Sequence, residues 1–137
     1  MCFLICPFKI IKVAAAAIIQ NNKVLVTKRL GGEFDGMWEV PGGKIETDET
    51  AQQTVVREIR EELEVEVTVE ELCISIKYEY PNFLLKMEVY YATIVEGEIK
   101  LHDHSAYLWA DKKTLSQLLW IPADIEVAQA LINSSLL

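Results

Sequence analysis

Ala51, Val55, Ile59 and Leu63 recur at four-residue steps, the apolar stripe of a helix that buries one face. The same helix carries Glu58, Glu61 and Glu62, and at about 100° per residue these fall within an arc of roughly 100°, beside the stripe. The combination constrains the fold. The stripe must face a core while three carboxylates stand at its rim, where like charge is costly unless a cation joins it. The spacing predicts a helix over Glu49 to Leu63, with Thr47 or Asp48 as its cap.

Hard oxygen ligands suit Mg²⁺ or Mn²⁺, and Mg²⁺ typically takes one or two carboxylates plus waters and substrate phosphates. The competing reading of "REIREELE" is a solvated face, with Arg57 paired to Glu61 and Arg60 to Glu64 at four-residue spacing.

Around this helix the chain alternates irregularly. Val13 to Arg29 reads as two strands about an Asn21-Asn22 turn, although four alanines make helix a competitor for the first half. Leu30 to Lys44 reads as loop, brief strand and loop. Val65 to about Ile99 has the pattern of a long antiparallel meander, and Ala106 to Ala110 that of a short strand. "DKKTLSQLLW" and "PADIEVAQALINSSLL" read as two helices, opened by Asp111 and by Pro122 to Asp124. Without regular strand-helix alternation, the class is α+β or a sandwich rather than a doubly wound sheet.

The 137 residues suffice for one domain spanning 1–137. With 21 acidic and 13 basic residues the formal charge is -8, which excludes a surface that coats a nucleic-acid polymer. A small polyphosphate is still accommodated if metal ions and a few cations neutralise it locally. Cys2, Cys6 and Cys73 are odd in number and lack zinc-site spacing, so reduced thiols of a cytoplasmic protein are the simplest expectation. The apolar lead "MCFLICPFKIIKV" is interrupted by Pro7, Lys9 and Lys12, too short for a membrane span, and reads as a lead-in to the first strand.

The wider spacing adds specificity. Gly43, five residues, Glu49, seven residues, Arg57-Glu58, then Ile59, Arg60, Glu61-Glu62, Leu63, Glu64 and Val65 resembles the Nudix box, G-x5-E-x7-R-E-U-x-E-E-x-G-U, where U is aliphatic. Glu64 stands where the family has glycine, so it must adopt a left-handed conformation at some cost or end the helix differently. "KVLVTKR", "WEVPGGKIE", "YEYP" and "IPADIEVAQAL" extend the likeness to MutT-type nucleoside triphosphate pyrophosphohydrolases, from about Ile10 to Leu131.

The resemblance implies a mixed sheet between helices and a Mg²⁺-dependent hydrolysis of nucleoside triphosphate to monophosphate and pyrophosphate. Gly43, Glu58, Glu61 and Glu62 match metal-binding positions. Arg57 is expected to orient the glutamates. Eight residues of regular helix rise about 12 Å, so Glu49 cannot reach Arg57 unless the turn ahead of the helix folds back. Glu49 is then a further ligand or an orienting partner. Arg29 and Lys28, at a strand end, suit terminal phosphates. In "HDHS" the family places a further carboxylate; here His102 is the candidate base, with Asp103 and His104 beside it.

Tyr80 offers a wall for stacking a base. Asp124 is either a helix cap or a reader of the base edge. An ionised Asp accepts only, which favours amino-bearing edges such as cytosine, whereas a buried protonated Asp also donates and suits 8-oxoguanine. The resulting expectation is a sanitising pyrophosphohydrolase for nucleotides such as 8-oxo-dGTP, acting as monomer or homodimer. CTP or 5-methyl-dCTP hydrolysis, ADP-ribose hydrolysis and a non-catalytic nucleotide sensor are the alternatives.

Overall fold

The computed structural model describes residues 9–137; Cys2, Cys6 and most of the apolar lead lie outside them, while Cys73 is a free, half-buried thiol. Strand β1 (Lys9–Gln20) runs through the middle of a seven-stranded sheet. Its alanines alternate between two cores. Ala14 and Ala16 pack with Val55, Ile59 and Leu63, while Ala15 and Ala17 pack with Val127, Ala128 and Leu131. A strand buried on both faces gains from both, which overrides the helix propensity of an alanine run.

Asn21 and Asn22 hold left-handed φ of 53° and 61° and turn the chain into β2 (Lys23–Arg29), as a tight hairpin demands. β1 meets β2 only at its end, Ile19 opposite Val24, whereas its middle pairs with β4 (Gly42–Lys44). Pro41 fills the resulting fork, accepting the Ala16 N–H at 2.8 Å. The short β3 (Trp38–Glu39) lies against β2. The fork carries the Gly42-Gly43 backbone to the edge of the helix that follows.

That helix, α1 (Ala51–Leu63), begins later than its apolar spacing predicts. Thr50 and Gln53 form a reciprocal capping box, so neither Thr47 nor Asp48 is the cap. Asp48 instead adopts φ 67° in the turn ahead of it. At the other end Glu64 accepts the left-handed conformation, φ 58° and ψ 33°, with its N–H donating to the Arg60 carbonyl.

β5 (Glu66–Tyr80) and β6 (Phe83–Glu96) form one long hairpin rather than a multi-strand meander, interrupted by irregularities near Val69 to Ile74. β6 then pairs in parallel with β1, Lys9 to Ile18 against Phe83 to Ala92, so the sheet is mixed. The strand order is β3-β2-β1-β6-β5, and β7 (His104–Ala110) pairs with β2. Helix α2 (Lys112–Leu115) is one turn, capped by Asp111, and far shorter than its sequence pattern suggests. Trp120 leaves the helical path to bridge Trp38 and donates its indole N–H to the Leu115 carbonyl. A 3-10 turn, Pro122–Asp124, leads into α3 (Ile125–Ile132). The mixed sheet thus lies between α1 on one face and α3 on the other. Among the described residues no helix is long and apolar enough to cross a membrane.

Glu64→Gly is expected to stabilise the protein by about 0.5 kcal/mol, the relief of left-handed strain outweighing the entropy glycine loses on folding. Urea unfolding of the two proteins at equal pH measures it.

Candidate active site

Close approach of backbone to helix sets the geometry. A methyl group at Gly43 would stand 2.3 Å from the Glu58 carboxyl carbon, and one at Gly42 2.3 Å from the Ala14 carbonyl oxygen. Only glycine at both positions lets β4 lie against β1 and the Glu58 carboxyl at once.

Arg57 ties this edge together. Its Nε donates to Glu49 Oε2 at 2.7 Å and one Nη to Glu49 Oε1 at 2.9 Å. The other Nη reaches Glu58 at 2.8 Å and Glu61 at 3.1 Å, and the Lys44 carbonyl accepts at 3.0 Å. Glu49 meets Arg57 because it precedes the Thr50 cap, in a chain that folds back over the helix. Hydrogen bonds from Arg57 and Thr54 hold the Glu49 carboxyl down at about 2.

Glu62 has a different environment. Its Oε1 is buried without a hydrogen-bond partner, and burial, with Glu58 and Glu39 nearby and only His104 opposing, pushes the carboxyl up to about 7. His104, also buried, meets Glu39 at 3.2 Å through Nε2, and its Nδ1 has no partner. Burial lowers the His104 pKa, but Glu39 and Glu62 together leave it raised. Glu39 also accepts Arg29 in a two-point pair, 2.6 and 3.2 Å. A continuous chain of charged groups therefore links Arg29, Glu39 and His104 toward Glu62.

Arg29 opens onto a cleft of about 290 Å³ on the α3 face of the sheet, lined also by Phe34, Tyr80, Phe83, Gly43 and Asp124. Tyr80 stacks on Phe83 at 4.9 Å between ring centroids and lies 6.0 Å from Phe34. Asp124, 4% exposed, stands at the start of α3 but makes no capping bond. Its Oδ2 instead accepts the Val40 N–H at 3.0 Å, and burial, partly offset by that bond, pushes the carboxyl up to about 7.

Of the residues singled out by sequence, Gly43, Glu49, Arg57, Glu58 and Glu61 come together at the start and exposed edge of α1. Arg29, Tyr80 and Asp124 share the cleft. Lys28 does not line it; its ammonium lies 5.9 Å over the Trp38 ring. His102 is exposed and hydrogen-bonded to Glu64 beyond the helix end, while His104 is the imidazole beside Glu39. The sequence reading missed Glu39 and Phe34 altogether. Alternation along β3 offered no signal for Glu39, because a two-residue strand is too short a pattern to show an inward carboxylate.

The donor set is chemically suited to a divalent cation: carboxylate oxygens, one of them buried and unpartnered, beside a backbone cradle that a side chain at Gly43 would fill. The ligand cage is not assembled, since among the described residues no three such groups converge on one point. Arg57 pairs with the Glu58 and Glu61 carboxylates at 2.8 and 3.1 Å.

A family model described as the NUDIX domain matches residues 11–131. This chain belongs to the NUDIX family. The Nudix fold accounts for the mixed sheet between helices, and the chain is a Nudix hydrolase, of a family that uses divalent cations. A protein named CTP pyrophosphohydrolase from Escherichia coli (strain K12) is 35% identical over 123 residues, covering 89% of this chain and 91% of that one. One named putative 8-oxo-dGTP diphosphatase 2, from Mycobacterium tuberculosis (strain H37Rv), is 34% identical over 116 residues, covering 82% and 81%. Among solved structures, the E. coli ORF135 protein superposes with a TM-score of 0.80 at 34% identity, covering 91% and 90%.

The buried Asp124 of this Nudix hydrolase predicts a pH signature. Its folded pKa of about 7 lies above the ordinary 3.8, so the folded state binds the proton more tightly. Stability from that proton is complete below the unfolded pKa and is lost as pH rises through the folded one. Asp124→Asn, which keeps an acceptor for Val40, should therefore gain stability relative to wild type between about pH 4 and pH 8. Unfolding midpoints across that range check it; a constant difference between the two proteins contradicts the assignment.

Proposed function

We propose that this chain is a Mg²⁺-dependent nucleoside triphosphate pyrophosphohydrolase, converting NTP and water to NMP and pyrophosphate, with 8-oxo-dGTP its first-choice substrate. The observation that carries the reading is the continuity of the aromatic cleft with the carboxylate edge of α1 through Gly43. A base stacked against the Phe34 and Tyr80 wall of the cleft would direct its phosphates past Arg29 and Gly43 toward that edge.

In this reading Glu58, Glu61 and Glu62, with the Gly43 carbonyl, hold Mg²⁺ or Mn²⁺. The bound cation would offset phosphate charge and acidify an attacking water. Arg57, already fixed by Glu49, positions Glu58 and Glu61 before the ligand arrives. Glu61, the more exposed of these two carboxylates at 59%, is the one freest to turn from Arg57 and complete the cage. Glu62, whose carboxyl lies near neutrality, would supply an anionic oxygen to such a cation, and activation of water would fall to this group of carboxylates. His102 is set aside as the base in favour of that group, because its imidazole is engaged by Glu64 outside the cleft.

Asp124 reads the base. With a carboxyl poised near neutrality, it offers both a donor and an acceptor to an 8-oxopurine edge. Its ionised form accepts only, which favours the amino group of cytosine, and the likeness to the E. coli CTP pyrophosphohydrolase supports CTP as the second reading. Arg29 would contact phosphate or base from the same wall. No feature of the cleft favours ADP-ribose.

The experiment is a Mg²⁺-dependent turnover comparison of 8-oxo-dGTP, dGTP, CTP, 5-methyl-dCTP and ADP-ribose, with products separated. Monophosphate plus pyrophosphate, fastest from 8-oxo-dGTP, is expected; orthophosphate as the sole phosphate product rules the reaction out. Glu61→Gln should lower kcat by about 100-fold or more while leaving the unfolding midpoint nearly unchanged. Retention of full Mg²⁺-dependent turnover in that variant removes Glu61 from the site.

A further inference from the structure

On the α1 face of the sheet, Lys12 of β1 stands directly opposite Lys86 of β6, and Lys86 stands opposite Lys77 of β5. Facing residues on neighbouring strands point to the same side, so three ammonium side chains form one row across three strands. Lys12 shares its face with Ala14 and Ala16, which pack beneath α1. The cleft that holds Arg29 and Asp124 opens on the other face, through Val13 and Ala15. Beyond the start of α1 the lysine row borders a cavity of about 330 Å³, walled also by Ile45, Ala51 and Ser75.

This arrangement works against stability unless something compensates it. Like charges facing each other in a sheet repel, and none of the three lysines makes an ion pair among the described residues. Two carboxylates border the same cavity, Glu49 and Glu88. Glu49 is bound by Arg57 and Thr54. Glu88 accepts the Tyr90 hydroxyl at 3.2 Å and offsets one of the three positive charges at most. In a chain of net charge -8, this leaves a local cationic excess on an open, concave surface.

We infer that Lys12, Lys77 and Lys86 form a second anion site, on the opposite face of the sheet from the cleft, that binds an oligophosphate. At a strand spacing of about 4.8 Å the outer lysines stand about 10 Å apart, a reach suited to linked phosphates rather than to one. Lysine binds such groups as a point charge and tolerates their varied orientation. The ligand chemistry is shared by free pyrophosphate and by the phosphate chain of a nucleotide. The inference holds whichever nucleotide the carboxylate edge hydrolyses.

The test uses pyrophosphate as probe, without divalent metal and with chelator present, so that the carboxylate edge cannot bind it through a cation. Calorimetry on the wild-type chain should show binding, and amide NMR shifts should centre on Lys12, Lys77 and Lys86. K12Q/K77Q/K86Q should bind at least about tenfold more weakly and be no less stable, since a repulsive row has been removed. Its metal-dependent turnover of nucleoside triphosphate should match wild type. Tighter binding of a nucleoside triphosphate than of pyrophosphate, lost in the same variant, assigns the row to nucleotide tails; equal binding assigns it to free pyrophosphate. Absence of pyrophosphate binding, shifts centred instead on Arg29 and Lys44, or turnover lost with the lysines overturns the second site. The wild-type shift map decides the matter even if the triple variant does not fold.

Discussion

The guanidinium of Arg57 fixes the candidate site. It spans Glu49 ahead of α1, Glu58 and Glu61 on the helix, and the Lys44 carbonyl at the end of β4. Three separately folded pieces of chain are thereby held in one relative position. An isolated exposed ion pair contributes little, but a planar fork with five donors, set among fixed acceptors, specifies direction as well as attraction. Without it, Glu58 and Glu61 would be mutually repelling carboxylates on a half-exposed helix. The same contacts give both carboxylates a fixed direction at the edge of α1.

The second constraint is the distribution of buried charge. Glu39 is held below the usual carboxylate range because hydrogen bonds from His104 and Arg29 outweigh the cost of its burial. Glu62 and Asp124, with fewer partners, are driven the other way. Carboxylates of one chemical type thus acquire different proton affinities within one small domain, and the difference follows from the donors each can reach. A carboxyl that is half protonated near neutrality can change its role when a cation or a base arrives. Glu39 cannot do so while its two cationic neighbours remain.

The sequence carries α1, its apolar stripe and its carboxylates openly, since both the period and the fixed spacing of charged residues are local properties. The Asn21-Asn22 hairpin is equally local. The alanines of β1 are ambiguous because alternation between two cores cannot be seen in a run of identical residues; only the partners on either side reveal it. Asp124 looks like a helix cap from its neighbours, yet its oxygen is taken by Val40, far away in sequence. His102 and His104 are two residues apart and chemically alike, and their separation into an exposed pair with Glu64 and a buried pair with Glu39 depends on where β7 begins. The contact between Glu49 and Arg57 needs the turn ahead of α1 to fold back, a condition the sequence leaves open and the Thr50 cap fulfils. Likewise, the row of lysines emerges only from strand register, since its members come from β1, β5 and β6.

β1 contributes one face to the cleft and the other to the core beneath α1. Because its central side chains are methyl groups, α1 lies close against the β1 backbone on one face, while on the other face the strand shares a core with α3. Ala15 borders the cleft while its neighbour Ala14 packs in the layer that includes α1. A larger side chain at Ala14 would therefore displace α1 or the strand itself, because that face has no spare room. Strand β1, which carries none of the candidate site residues, thus fixes how near the helix with the carboxylates can lie to the sheet.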